Sequence, residues 1–151
     1  MSKQSYLHAS TGFSLLELMI SLVIVGLIAS IAYPSYQNSM TSARRADAQA
    51  VMLEASQFMQ RFYTENNRYD VDTGGTAIAL PSDLQQSPRD AGVKTYDISV
   101  QAATASSFTL RATPKNNQAG DGFLELTHTF AKAWDRDDSG AIDVGESSWS
   151  H

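Results

Sequence analysis

From Phe13 to Ala32 the chain runs through twenty residues with a single formal charge, Glu17. As a helix rising about 1.5 Å per residue, this run is about 30 Å long, the thickness of a bilayer core. Beyond it the spacing changes but stays helical. Ala48, Met52, Ala55, Met59 and Phe62 recur at steps of four, three, four and three, with Val51 and Phe58 on the same face. Arg45, Gln49, Gln57 and Gln60 fall among the polar positions. The pattern predicts one helix from about Phe13 to Tyr63, apolar all round over 13–32 and amphipathic over 33–63. Asn66-Asn67 and Asp70 end it. Gly26 weakens it, and Pro34 removes one backbone hydrogen bond and is expected to kink it.

Residues 64–95 hold Gly74-Gly75, Pro81, Pro88 and Gly92 and show no long period, so they read as a connecting loop. Short alternating runs follow. Tyr96, Ile98 and Val100 share one strand face, Phe108, Leu110 and Ala112 the next, and Leu124 and Leu126 a third. Phe130 to Trp134 is a shorter fourth strand, and 114–121 is a turn-rich connection. A long helix followed by a small antiparallel meander is an α+β arrangement, with the sheet and the acidic C-terminal segment in 96–151. The Met/Phe stripe of the helix is expected to pack under the sheet.

Composition narrows the function. Eleven Lys and Arg against sixteen Asp and Glu give a net charge of −5, which argues against direct nucleic-acid binding. The adjacent pair Arg44-Arg45 forms no stripe and reads as a solvated patch near a membrane surface. There are no cysteines. The histidines are His8, His128 and His151. His128 alternates with Leu124 and Leu126 and reads as a partly buried sheet residue. No catalytic constellation is present, so a non-enzymatic protein is expected.

An acid inside an apolar span costs about 2.5–3.5 kcal/mol at the membrane centre, so Glu17 calls for a partner. Gly12-Phe13-Ser14-Leu15-Leu16-Glu17 resembles the type IV prepilin signature, with residues 1–12 as the leader (a class III signal peptide). The resemblance implies a prepilin peptidase that cuts between Gly12 and Phe13 and methylates the new amine. It also implies that Glu17 meets the Phe13 ammonium of a neighbouring subunit, and that Gly26 and Pro34 mark a helix segment able to loosen. Arg44 to Gln49, Gln60 to Tyr69, and Phe108 to Pro114 with Gln118 and Asp121 are similar to PilE-type minor pilins of type IV pili. The type IV pilin fold is thereby implied, though the disulfide common in these proteins cannot form here. So is a structural subunit, made as a single-pass inner-membrane precursor with a periplasmic C-terminal domain. An inner-membrane assembly platform would move it, with other pilin subunits, into a surface filament for motility, adhesion or DNA uptake. Other readings stay open: a cleaved secretory signal ending at Ser30-Ile31-Ala32, a plain anchor, a type II secretion pseudopilin, or a membrane-anchored calcium- or carbohydrate-binding module.

Asp135 to Glu146 fits the twelve-residue calcium loop of the EF-hand. Oxygen donors fall at positions 1, 3, 5, 9 and 12 as Asp135, Asp137, Ser139, Asp143 and Glu146. Gly140 takes the sharp turn at position 6 and Ala141 offers its carbonyl at position 7. Calcium is the expected ion, held by a lone loop on a β framework and standing in for the missing disulfide as a staple. The competing reading is a solvated acidic hairpin.

Overall fold

The computed structural model describes residues 12–90 and 92–150. Most of the expected leader, together with His8 and His151, lies outside the described residues. One long helix, α1 (Leu15–Asn66), precedes a five-stranded sheet. The chain forms two units, one ending at Asn38 and the other beginning at Ser39.

In the first unit α1 carries no buried residue. The helix is assigned without interruption through Pro34, and Gly26 has open space around its Cα. Over residues 12–39 every position is exposed.

In the second unit α1 buries Ala48, Val51, Met52, Ala55 and Met59, the stripe set by its spacing. Helix termination is local. Asn67 takes a left-handed φ of 55° and donates its N–H to the Tyr63 carbonyl at 2.7 Å, a turn that asparagine tolerates at a helix C-terminus.

The strands are β1 (Gln86–Ser87), β2 (Tyr96–Ala103), β3 (Phe108–Pro114), β4 (Leu124–Thr127) and β5 (Lys132–Trp134), in the order β1-β2-β3-β4-β5. All neighbours are antiparallel. Tyr96, Ile98, Phe108, Leu110, Ala112, Leu124, Leu126 and Trp134 form one core with the helix stripe. These are the period-two positions whose side chains share one face of a pleated sheet. The far edge is closed by the C-terminal segment, where Trp134 donates its N–H to the Glu146 carbonyl at 3.0 Å.

Two expectations are corrected. Residues 64–95 are not only a loop: they contain β1, a 3-10 turn at Ser82–Leu84 and a Val71–Ala77 bridge. These pairings link segments without internal periodicity, so no spacing marks them. The fourth expected strand is shorter, with Lys132–Trp134 paired to β4 and Phe130 turned out by a φ of 60°. His128 lies just past β4, half-buried, with its ring edge-on to Phe108 at 6.4 Å.

Candidate functional site

Three arrangements carry chemistry. The first is the exposed apolar helix. Phe13 is 76 % exposed and the aliphatic residues after it are exposed on every side. Such a surface is far larger than a monomer in water leaves open, and marks a membrane or protein contact. Among the described residues one helix is long and apolar enough to span a bilayer, and none of its apolar window is buried. Glu17 lies in the first turn of α1. Its backbone carbonyl accepts from Ser21 Oγ at 2.7 Å, and its carboxylate has no hydrogen-bond or ion-pair partner among the described residues. Gly12, at the expected cleavage point, is exposed.

The second is the acidic loop. Carboxylate oxygens of Asp135, Asp137 and Glu146 lie within 4.8 Å of one another. Asp135 is wholly buried and Glu146 nearly so. Backbone amides hold both acids. Asp135 accepts from Ser139 N at 2.9 Å and from Gly140 N at 2.9 Å. Glu146 accepts from Arg136 N at 2.6 Å and from Asp143 N at 2.9 Å. The turn between them depends on Gly140 at φ +87°. Ser139 Oγ lies 3.3 Å from both Asp135 Oδ1 and the Ala141 carbonyl. Three of the six expected donors, Asp135, Asp137 and Glu146, therefore converge, with the Ser139 hydroxyl beside Asp135 and the Ala141 carbonyl beside that hydroxyl. Asp143 engages through its backbone N–H, and its carboxylate is not part of the converging group. Three like charges this close repel unless a cation sits among them, and calcium accepts such a set of hard oxygens.

The third arrangement holds α1 to the sheet. Arg45 is 7 % exposed, so the expected solvated Arg44-Arg45 patch is corrected at one of its two residues. Its guanidinium grips Asp121 with two bonds, Nε to Oδ2 at 2.9 Å and Nη2 to Oδ1 at 2.5 Å. It also stacks 3.6 Å from the Trp134 ring centroid. Asp121 accepts in addition from Tyr96 Oη at 2.6 Å and Gln118 Nε2 at 2.9 Å. Gln118 reaches back to the Thr41 carbonyl of α1 at 3.0 Å, and Trp134 Nε1 donates to the Asp121 carbonyl at 2.7 Å. Burial opposes the Arg45 charge, but the hydrogen bonds and charge of Asp121 outweigh it and hold the guanidinium protonated. Burial, then the Asp121 carboxylate, push the Tyr96 hydroxyl well above the ordinary tyrosine range, so it stays a donor.

The sequence does not single out Tyr96, Trp134 and Asp121 for this role, because the group meets only through contacts 13, 25 and 76 residues apart. One signal was available. Arg45 precedes Ala48 by three and Met52 by seven, so it continues the buried stripe.

Comparison with known proteins fits this geometry. Residues 34–127 match the family described as type IV minor pilin ComP, DNA uptake sequence receptor. Residues 7–33 match the prokaryotic N-terminal methylation motif. This chain belongs to the ComP family of type IV minor pilins. It is 28 % identical over 134 residues to the type IV major pilin protein PilE1 of Neisseria gonorrhoeae, covering 87 % of this chain and 72 % of that protein. It is 30 % identical over 84 residues to the type II secretion system core protein G of Pectobacterium carotovorum subsp. carotovorum, covering 55 % of this chain and 54 % of that one. A fimbrial protein of Pseudomonas aeruginosa is 32 % identical over 76 residues, covering 43 % and 49 %. The chain thus spans about half the length of several relatives it matches. The crystal structure of the Neisseria meningitidis non-core minor pilin PilV shares the fold, with a TM-score of 0.52 at 15 % identity over 75 % of this chain and 98 % of that one.

Proposed function

We propose that this chain is a non-enzymatic structural subunit of a type IV pilus, recruited through residues 13–39. The observation that carries the reading is the helix surface that is apolar and exposed all round, with Glu17 as its one charge. Lipid covers that surface in the precursor, and the helices of other pilin subunits cover it in the filament. A prepilin peptidase cuts after Gly12 and methylates Phe13. Glu17 then meets the ammonium of a neighbouring subunit, since a carboxylate in a low-dielectric bundle is tolerated only when paired. The precursor sits in the inner membrane with residues beyond the span in the periplasm, an assembly platform extrudes it, and the mature subunit reaches the cell surface. The test is recruitment of Glu17→Leu. The proposal expects this variant to be made and cut normally yet depleted from sheared filaments; wild-type levels there contradict it.

The likeness to the type II secretion protein supports a second reading, a secretion pseudopilin with the same processing and assembly. A deletion strain separates the two, losing either pilus function or enzyme secretion.

We also propose calcium as the ligand of the acidic loop, on the strength of three converging carboxylates with no cationic side chain paired to them among the described residues. Asp135, Asp137, Ser139, Ala141 and Glu146 would hold it, and the ion would neutralise the loop and staple it to β5. Calorimetric titration tests this: heat and a raised melting temperature at millimolar calcium are expected, and neither appearing rejects it.

The family description names a DNA receptor. Direct DNA binding is left outside the proposal because phosphate recognition needs available cations. The net charge is −5, and five of the eleven basic residues, Arg45, Arg68, Arg89, Arg111 and Lys115, are each paired with a carboxylate. Duplex binding at low salt that weakens steeply as salt rises would reverse this.

A further inference from the structure

We propose that Tyr33 and Tyr36 bind the lipid headgroup layer on the periplasmic side of the membrane, and so fix how deep residues 13–32 sit in the precursor. The inference rests on the reading above that lipid covers this helix before assembly. No charged residue stands between Glu17 and Arg44, so charge alone does not say where the span ends.

Three observations mark the place. The first is residue type and exposure. The aliphatic run stops at Ala32, and Tyr33 and Tyr36 follow at 67 % and 60 % exposure. Three positions apart on α1, they share one side of the helix. A tyrosine has an apolar body and a polar tip, and it concentrates where hydrocarbon meets water. The second is the fate of the hydroxyls. Within the span, Ser21 and Ser30 return theirs to the carbonyls of Glu17 and Leu27 at 2.7 and 2.8 Å, as hydrocarbon requires of a polar group. The Tyr33 and Tyr36 hydroxyls have no such partner among the described residues, which leaves them for a lipid phosphate or ester oxygen. The third lies in the backbone. Pro34 has no N–H to offer the carbonyl four residues back, at Ser30. A carbonyl deprived of its helical donor is costly in hydrocarbon and is satisfied at the interface, where water and headgroups reach it.

The position of Glu17 follows. It is sixteen residues before Tyr33, about 24 Å along a straight helix. With Tyr33 at one boundary of a core about 30 Å thick, Glu17 lies about 6 Å inside the other. An acid there is less costly than at the membrane centre. The tyrosines therefore keep the unpaired carboxylate shallow until a neighbouring subunit supplies its ammonium.

The chain has no cysteine, so single introduced cysteines report depth without background. The full-length precursor is placed in vesicles of phosphatidylethanolamine and phosphatidylglycerol, with residues 39–151 facing out. Ile28→Cys, Ser35→Cys and Asn38→Cys are each treated with a membrane-impermeant maleimide. Protection at position 28 and labelling at positions 35 and 38 are expected. Adding Y33L/Y36L should move the boundary toward the C-terminus by about one helical turn, enough to protect position 35. Y33W/Y36W should leave it in place, because tryptophan anchors at the same depth. Protection of Ser35→Cys with both tyrosines intact, an unchanged boundary in Y33L/Y36L, or an equal shift in Y33W/Y36W overturns the anchor and leaves the membrane reading standing. Labelling of Ile28→Cys as fast as Asn38→Cys shows that the helix is outside the bilayer, which removes that reading and the anchor with it.

Discussion

The guanidinium of Arg45 lies 3.6 Å from the Trp134 ring centroid while its nitrogens hold Asp121 at 2.5 and 2.9 Å. This pair joins the start of the amphipathic part of α1 to the loop before β4 and the last strand of the sheet. Both side chains are at most a tenth exposed. Removing one partner strands the other charge out of water, which costs about 3–5 kcal/mol. Asp121→Ala should therefore lose that much stability in denaturant unfolding. A loss below about 1 kcal/mol would place the pair among ordinary surface bridges.

Tyr96→Phe tests the same network more gently. It removes one hydroxyl, buried and bonded to Asp121 at 2.6 Å, and keeps the ring in the core. The expected cost is about 1–3 kcal/mol. Leu110→Ala, at a fully buried position of β3 away from the network, should cost about 2–5 kcal/mol through transfer and cavity terms. Because the two sites share no hydrogen bond, their effects should add.

Gly122 ties the network to the acidic loop. Its φ is +71°, and a Cβ there would lie 1.5 Å from the Asp135 carbonyl oxygen. Gly122→Ala should displace Asp135, lowering the melting temperature and, if calcium binds the loop, weakening its affinity. A variant that melts and titrates like the wild type would show that Asp135 is not held from this side.

Asp70 offers a pH test. Its carboxylate takes two bonds from Arg68, at 2.6 and 2.8 Å, which depress its pKa to about 2 from an ordinary 3.8. The folded value lies below the unfolded one. The contribution is therefore complete above pH 3.8 and fades as pH falls toward 2. Carboxyl chemical shifts should show Asp70 titrating near the lower value, and Arg68→Ala should bring it back toward the higher one.

Much of this was legible in the sequence, for identifiable reasons. Helix and strand periods placed α1, β2, β3 and β4, because each buries one face against a common core. The spacing of Asp135, Asp137, Ser139, Ala141, Asp143 and Glu146 suggested a calcium loop; the carboxylates of Asp135, Asp137 and Glu146 do converge, while that of Asp143 is not among them. The pair β1–β2 was not legible, because Gln86-Ser87 has no internal period and is a strand only by pairing with Tyr96 and Asp97. Arg45 was misjudged on residue type, although its position lies in register with Ala48, Met52, Ala55 and Met59. A charge inside a buried stripe requires a counter-charge, and the sequence does not say which of sixteen acids supplies it.

Mass spectrometry of the protein from sheared surface filaments tests the central claim most directly. The account predicts a chain beginning at N-methylated Phe13, recovered in the filament fraction. A chain that begins at any other residue, or that stays wholly in the membrane fraction, would contradict it.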